Sequence, residues 1–131
     1  MTQTMSNNDI VVDQCWYDKA KAYLECPVGW QHIARQVEAV LLAEGCDVQQ
    51  MKEKFGELRV YYIEPEEWDS LTQDGYEDKL VQIDTLIEIA DHVCQRTCMD
   101  CGSAGKQRVH FGWIEVLCDE HWNELNETRQ S

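Results

Sequence analysis

Four residues in the last third of the chain have side chains and spacing suited to holding a metal ion. Cys98, Cys101, Cys118 and His121 read as C-x2-C-x16-C-x2-H. Two residues between ligands let the backbone fold so that both side chains of a pair meet one ion, and Gly102 after the second cysteine permits a turn with φ > 0 whose N–H groups point at the sulfurs. Three thiolates and one imidazole complete a tetrahedron and leave no position for a substrate water. The expectation is therefore one structural zinc ion. Between the pairs, residues 107–117 alternate around Gly112 as a hairpin would, the usual connection of a zinc ribbon, and residues 119–126 are expected to form a short helix carrying His121.

The other candidates for chemistry are weaker. Cys94 lies four residues before Cys98 but within an apolar helical stripe, which makes it a buried thiol. Cys15, Cys26 and Cys46 show no ligand spacing, and free cysteines commonly serve as small buried hydrophobes. His32, His92 and His110 have no evident partners. A zinc deaminase needs H-x-E upstream and proline before its C-x-x-C; here Thr97 stands at that place and no H-x-E occurs. Asp91-His92 falls inside a helix rather than before the strand and helix of an HNH-type nuclease. A thioredoxin-like use of Cys98 and Cys101 lacks its βαβ context. No catalytic residues are assigned.

The elements that must position the four ligands follow from periodicity. Trp30, Ile33, Ala34, Val37, Val40 and Leu41 recur as one helical face, with Pro27 and Gly29 breaking the chain before it and Gly45 ending it. A shorter helix is expected around residues 16–24. Residues 48–63 read as a strand, a turn near Gly56 and a β-branched, aromatic strand over residues 58–63, an antiparallel hairpin. A second long helix is expected over residues 76–96, because Leu80, Ile83, Ile87, Ala90 and Cys94 share a face that Val81, Leu86, Ile89 and Val93 widen. Such a stripe implies burial against both the hairpin and the first helix. The fold class is thus α+β: a small antiparallel hairpin or sheet packed by two main helices, with a C-terminal zinc-ribbon-like element. One domain spans residues 1–131, with a polar tail over 1–12, an α/β core over 13–96 and the zinc-ribbon-like end over 97–131.

Charge restricts the partners. The chain carries 25 acidic and 11 basic residues, a net charge of −14, which disfavours nonspecific adhesion to nucleic acid or anionic membranes and favours basic partners. Residues 64–78 hold Glu64, Glu66, Glu67, Asp69, Asp74, Glu77 and Asp78 without one cation, interrupted by Pro65, Trp68, Gly75 and Tyr76. Glu64, Glu66, Glu67, Trp68, Asp69, Asp74 and Tyr76 form the candidate partner surface, since aromatics favour interfaces and acidic surfaces steer towards basic clefts. The opening residues lack a basic n-region and an apolar h-region, and no apolar run approaches the ~18 residues of a membrane span. Seven cysteines, an odd and irregular set, fit a reducing compartment better than a disulfide framework. A cytoplasmic protein is expected.

Three blocks, Pro27-Val28-Gly29-Trp30, Met51-Lys52-Glu53-Lys54-Phe55-Gly56-Glu57-Leu58-Arg59-Val60-Tyr61-Tyr62, and Cys98-x-x-Cys101-Gly102 with Gly112-Trp113-Ile114-x-x-Leu117-Cys118-x-x-His121, occur in this order. Together they resemble a widespread family of small uncharacterised proteins of bacteria and their phages, with a GW start, a VKEKFGxLRFY hairpin and a CxxCG…GWxxxxCxxH zinc end. Met51 replaces the usual valine, Val60 the usual phenylalanine and Cys94 a small polar residue. The resemblance implies a zinc-containing fold, frequently encoded beside mobile elements, and transfers no catalytic residue. Lys52, Lys54 and Arg59 within the second block are either a recognition face or salt-bridge partners for nearby acids.

The expected function is that of a non-catalytic, zinc-stabilised acidic binding protein, an inhibitor, immunity or anti-defence protein for a basic partner such as a nuclease. The alternative is a zinc-ribbon nucleic-acid-binding or regulatory module. Residues 97–131 argue against that alternative, with only Lys106, Arg108 and Arg129 against six acids, whereas phosphate binding needs clustered cations.

Overall fold

A computed structural model describes residues 12–130, excluding the side chains of Arg129 and Gln130; the expected tail lies outside the described residues except for Val12. The chain forms α1 (Gln14–Lys19), α2 (Gln31–Ala43), the strands β1 (Asp47–Lys54) and β2 (Glu57–Ile63), α3 (Gln73–Cys94), the strands β3 (Lys106–His110) and β4 (Trp113–Leu117), and α4 (Asp119–Gln130). β1 pairs antiparallel with β2 and β3 with β4, giving two separate two-stranded sheets. This is the α+β arrangement the periodicities call for. Two-stranded hairpins are marginal alone. Each is held here by what it packs against.

The core joins all parts of the chain. Trp30, Ala34, Val37 and Leu41 of α2 and its approach meet Met51 and Leu58 from the inner face of the first hairpin, Ile83, Ala90 and Cys94 from α3, and Val116 from β4. Trp30, Leu41, Met51, Cys94 and Val116 are fully buried. Burying a large apolar side chain stabilises by roughly 1.5–3 kcal/mol, so the long-range packing of these residues outweighs any local hairpin preference.

Several boundaries differ from the expectation for local reasons. α3 starts at Gln73 instead of residue 76 because the Thr72 hydroxyl accepts the Gly75 N–H at 3.1 Å and caps it. The segment expected as one helix over residues 16–24 splits into α1 and a 3-10 turn over Ala22–Glu25. The apolar stripe of α3 is wider than the face it buries: Val81, Ile89 and Val93 are exposed. Among the described residues, no helix is long and apolar enough to cross a membrane.

The split after α1 is explained by Glu38, a carboxylate 2% exposed on α2. It accepts the backbone N–H groups of Lys21, Ala22 and Tyr23 at 3.1, 3.0 and 2.9 Å. Three donors of the 3-10 turn are thereby satisfied by one side chain. Glu38→Gln should turn an amide N–H towards at least one of them and lower stability by about 2–3 kcal/mol, since an orphaned buried donor costs that much. Urea unfolding of the metal-loaded protein measures it; a midpoint equal to that of the unsubstituted protein would contradict the assignment.

Both hairpins turn on a two-residue Phe-Gly loop. Phe55 and Gly56 have φ of 55° and 78°, Phe111 and Gly112 of 49° and 81°, the positive pair that a type I′ turn requires. Asn, Asp or Gly normally fills the first position; a bulky aromatic there is a strained outlier. These are the only phenylalanines in the chain. Neither is in the core: Phe55 is 55% and Phe111 90% exposed.

Candidate metal centre

The first ligand pair sits on a tight loop immediately after α3. Thr97 ends the helix by donating its hydroxyl to the Val93 carbonyl at 2.6 Å. The Cys98 N–H reaches the Ser103 carbonyl at 2.7 Å and the Gly102 N–H the Cys98 carbonyl at 2.9 Å, closing the loop around residues 98–103. Gly102 has φ of +80°, the left-handed conformation expected after the second cysteine. Met99 ties this loop to the second hairpin: its N–H donates to the Val116 carbonyl at 2.8 Å, and its sulfur accepts the Val116 N–H at 3.2 Å.

The second pair straddles the junction of β4 and α4. Cys118 leaves the strand, and His121, one helical turn on, returns its ring towards the Cys118 sulfur while its N–H approaches that sulfur at 3.5 Å. Arg108 of β3 fastens the junction, donating to the Leu117 carbonyl at 3.1 and 3.2 Å and to the Asp119 carboxylate at 2.7 Å. That cation, weighed above as a phosphate ligand, is committed to the loop. Neither Arg108 nor Ser103 has a sequence signature, because each acts through a contact that only the folded hairpin creates.

The donor atoms of Cys98, Cys101, Cys118 and His121 all lie within 4.8 Å of one another. Cys101 and Cys118 sulfurs are 3.9 Å apart, and His121 Nδ1 lies 3.6 Å from the Cys98 sulfur and 3.1 Å from that of Cys118. A tetrahedral ion with thiolate bonds of about 2.3 Å has sulfur–sulfur edges of roughly 3.8 Å, so the donor set fits one ion. Cys94, despite its helical spacing from Cys98, stays outside the group as a fully buried thiol. The ligand positions grade from the buried Cys98 to the exposed Cys101.

Hydrogen bonds around the site favour the thiolate form of its two more accessible cysteines. The His121 backbone N–H, and then its ring, bring the Cys118 thiol down to about 6, while the Cys118 sulfur raises His121 to about 9. The Ser103 hydroxyl and N–H lower Cys101; burial raises Cys98. The contact between Cys118 and His121 favours the thiolate on one and the proton on the other, and metal uptake displaces that proton. The remaining buried thiols behave oppositely. Burial first, and nearby carboxylates second, push Cys26 and Cys46 to about 12 and about 11; burial and then Cys26 push Cys94 to about 12. In metal-loaded protein a thiol reagent should therefore react rapidly with the exposed Cys15 alone, and chelation should add Cys98, Cys101 and Cys118 while Cys26, Cys46 and Cys94 stay unreactive until unfolding. Peptide mapping of the labelled thiols checks this.

The acidic segment is arranged differently from the expectation. Trp68, read as an exposed anchor, is 4% exposed and belongs to the core. A single buried indole in a short turn has no periodicity to reveal it. Tyr76 is half-buried, meets Trp68 edge-on at 6.5 Å and donates its hydroxyl to Glu64 at 2.6 Å. Glu66, Glu67, Asp69 and Asp74 are exposed. Trp68 and Tyr76 consequently hold the segment in place while the carboxylates face water.

Comparison of the chain with protein-family models, with curated proteins and with solved structures found no match.

Proposed function

We propose that the protein is a non-catalytic binding protein whose Cys3His centre holds a structural zinc ion and whose acidic turn engages a basic protein, as an inhibitor, immunity or anti-defence protein would engage a nuclease. Zinc is the ion that this mixture of thiolate and imidazole donors in a closed tetrahedron favours. The observation that carries the binding reading is the fixed, uncompensated charge of the turn. Glu66, Glu67 and Asp69 lie on a 3-10 turn whose central residue, Trp68, is buried, and Asp74 begins the helix that follows. Among the described residues, none of these four carboxylates takes part in an ion pair. A backbone held in place by buried Trp68 presents these unpaired charges on one surface, so contact with a partner orders side chains but not the turn itself.

The test has two parts. Metal analysis of the purified protein should find one equivalent of zinc, and less than about a tenth of an equivalent would overturn the metal reading. Protein isolated from its native host at moderate salt should co-elute with one basic protein in stoichiometric amount. Replacing Glu66, Glu67 and Asp69 together by lysine should then slow association with that partner by about 10- to 1,000-fold at low salt, with the melting temperature nearly unchanged. Unchanged association would remove the acidic turn from the interface.

A further inference from the structure

The acidic turn leaves unexplained a face of the opposite character, on the first hairpin. Register pairs Gln50 with Tyr61, Lys52 with Arg59 and Lys54 with Glu57 across the first hairpin. Pairs Met51/Val60 and Glu53/Leu58 alternate with them, and Met51, Val60 and Leu58 pack in or against the core. The turn-proximal part of the outward face thus gathers three cations and one carboxylate, Glu57, in a protein of net charge −14, while a second carboxylate, Asp47, stands opposite Ile63 at the far end of the hairpin. Arg59 pairs with Glu57 at 2.9 Å. Lys52 and Lys54 form no ion pair among the described residues, and each instead stands beside an aromatic ring, Lys52 Nζ 5.6 Å from Tyr61 and Lys54 Nζ 5.7 Å from Phe55. Tyr61 is 44% exposed. Phe55 holds its ring in water from a strained backbone position that Asn, Asp or Gly would occupy more easily, and strain kept at an exposed site points to use.

We propose that this outward face of the β1–β2 hairpin binds single-stranded nucleic acid, with bases stacked on Tyr61 and Phe55 and phosphates held by Lys52, Lys54 and Arg59. Each ring stands beside a cation, and stacking platforms bordered by positive charge are how single strands are bound without sequence readout. The overall negative charge does not forbid this. At the turn end of the hairpin two nearby carboxylates are taken up by backbone donors: Glu53 accepts the Gly56 N–H and Asp91 the Leu58 N–H, each at 2.8 Å. The seven residues of β2 separate the end of the face that bears Lys54 and Phe55 from Glu64, about 20 Å at a strand's rise. That is more than twice the screening length of about 8 Å at physiological salt.

The experiment is fluorescence anisotropy of labelled oligothymidine and oligouridine of about 12 nucleotides, a length within the span of single binding folds, titrated with the full metal-loaded protein. Three phosphate contacts predict a slope of log K against log salt of about −2. Lys52→Gln with Lys54→Gln should flatten that slope to roughly a third. Tyr61→Leu, which leaves the charge unchanged, should weaken binding about fivefold or more. Phe55→Leu should do the same with equal backbone strain. Melting temperatures establish that each variant is folded. No anisotropy change at low salt overturns the proposal. It is equally overturned if Tyr61→Leu and Phe55→Leu bind like the unsubstituted protein while polyglutamate displaces the probe as readily as unlabelled oligonucleotide, for the face would then be a docking site for an acidic polypeptide.

Discussion

Cys98→Ser should release the metal and unfold the chain from residue 97 onward. Cys98 is the fully buried ligand, and its backbone closes the loop that Met99 joins to Val116. Beyond that loop little else secures the C-terminal part. No described side chain of α4 is buried, and α4 packs within the C-terminal part itself, on β4 and, through Trp122 and Asp119, on His110 and Arg108 of β3. Of β3 and β4, only Val116 and Leu117 are buried. Structural zinc in small peptides contributes an apparent 10–16 kcal/mol or so, as much as the whole net stability of about 5–15 kcal/mol for a typical domain. Serine keeps the size but is a poor ligand for a thiophilic ion, so that contribution is lost almost entirely. The expected result is zinc content below a tenth of an equivalent, with rapid proteolysis confined at first to residues 97–130. Chelation of the unsubstituted protein should reproduce it. Full metal content with unchanged proteolysis would show that Cys98 is no ligand.

What the sequence discloses and what it hides divide along a physical line. Features repeated along the chain are legible: the 3.6-residue spacing of Ala34, Val37 and Leu41, the strand pattern ending in Tyr61, Tyr62 and Ile63, and the paired ligand spacing from Cys98 to His121. Each of these fixes its local structure without reference to distant residues. Trp68, Glu38 and Arg108 belong to the other kind. Trp68 sits in a run of acids and is buried because the core offers a place for one indole. Glu38 looks like any polar helix position, and its three donors lie 15–17 residues away. The exposed Val81, Ile89 and Val93 show the converse. A helical stripe reports which side chains share a face, and only the neighbouring elements decide how much of that face is covered.

Gly29→Ala should be as damaging as loss of a ligand, although residue 29 touches no metal. In the sequence Gly29 reads as a helix breaker before α2. In the fold its Cα lies against the metal loop across 69 residues: a Cβ there would stand 2.0 Å from the Cys98 carbonyl oxygen, 2.7 Å from the Gly102 nitrogen and 2.8 Å from the Met99 carbonyl carbon. All three are backbone atoms, so no side chain can turn aside. The Gly29 N–H donates to the Met99 carbonyl at 2.8 Å, and the buried indole N–H of Trp30 donates to the Thr97 carbonyl, also at 2.8 Å. A methyl group must push the turn over Val28–Trp30 off the loop, break the first bond and draw the fully buried Trp30 out of register. That combines overpacking with the loss of a buried hydrogen bond, mechanisms whose sum exceeds about 4 kcal/mol. The melting temperature should fall steeply, and a competing chelator should strip the metal at far lower concentration than from the unsubstituted protein. Gly112→Ala is the control. It has the strained φ of +81° but nothing within 4 Å of the added carbon, so its cost is about 1–2 kcal/mol of backbone strain with no change in metal retention. If Gly29→Ala proved no worse than Gly112→Ala, the metal loop and the α/β core would be energetically independent. A several-fold weaker hold on the metal from a residue that is not a ligand would establish that the two are energetically coupled.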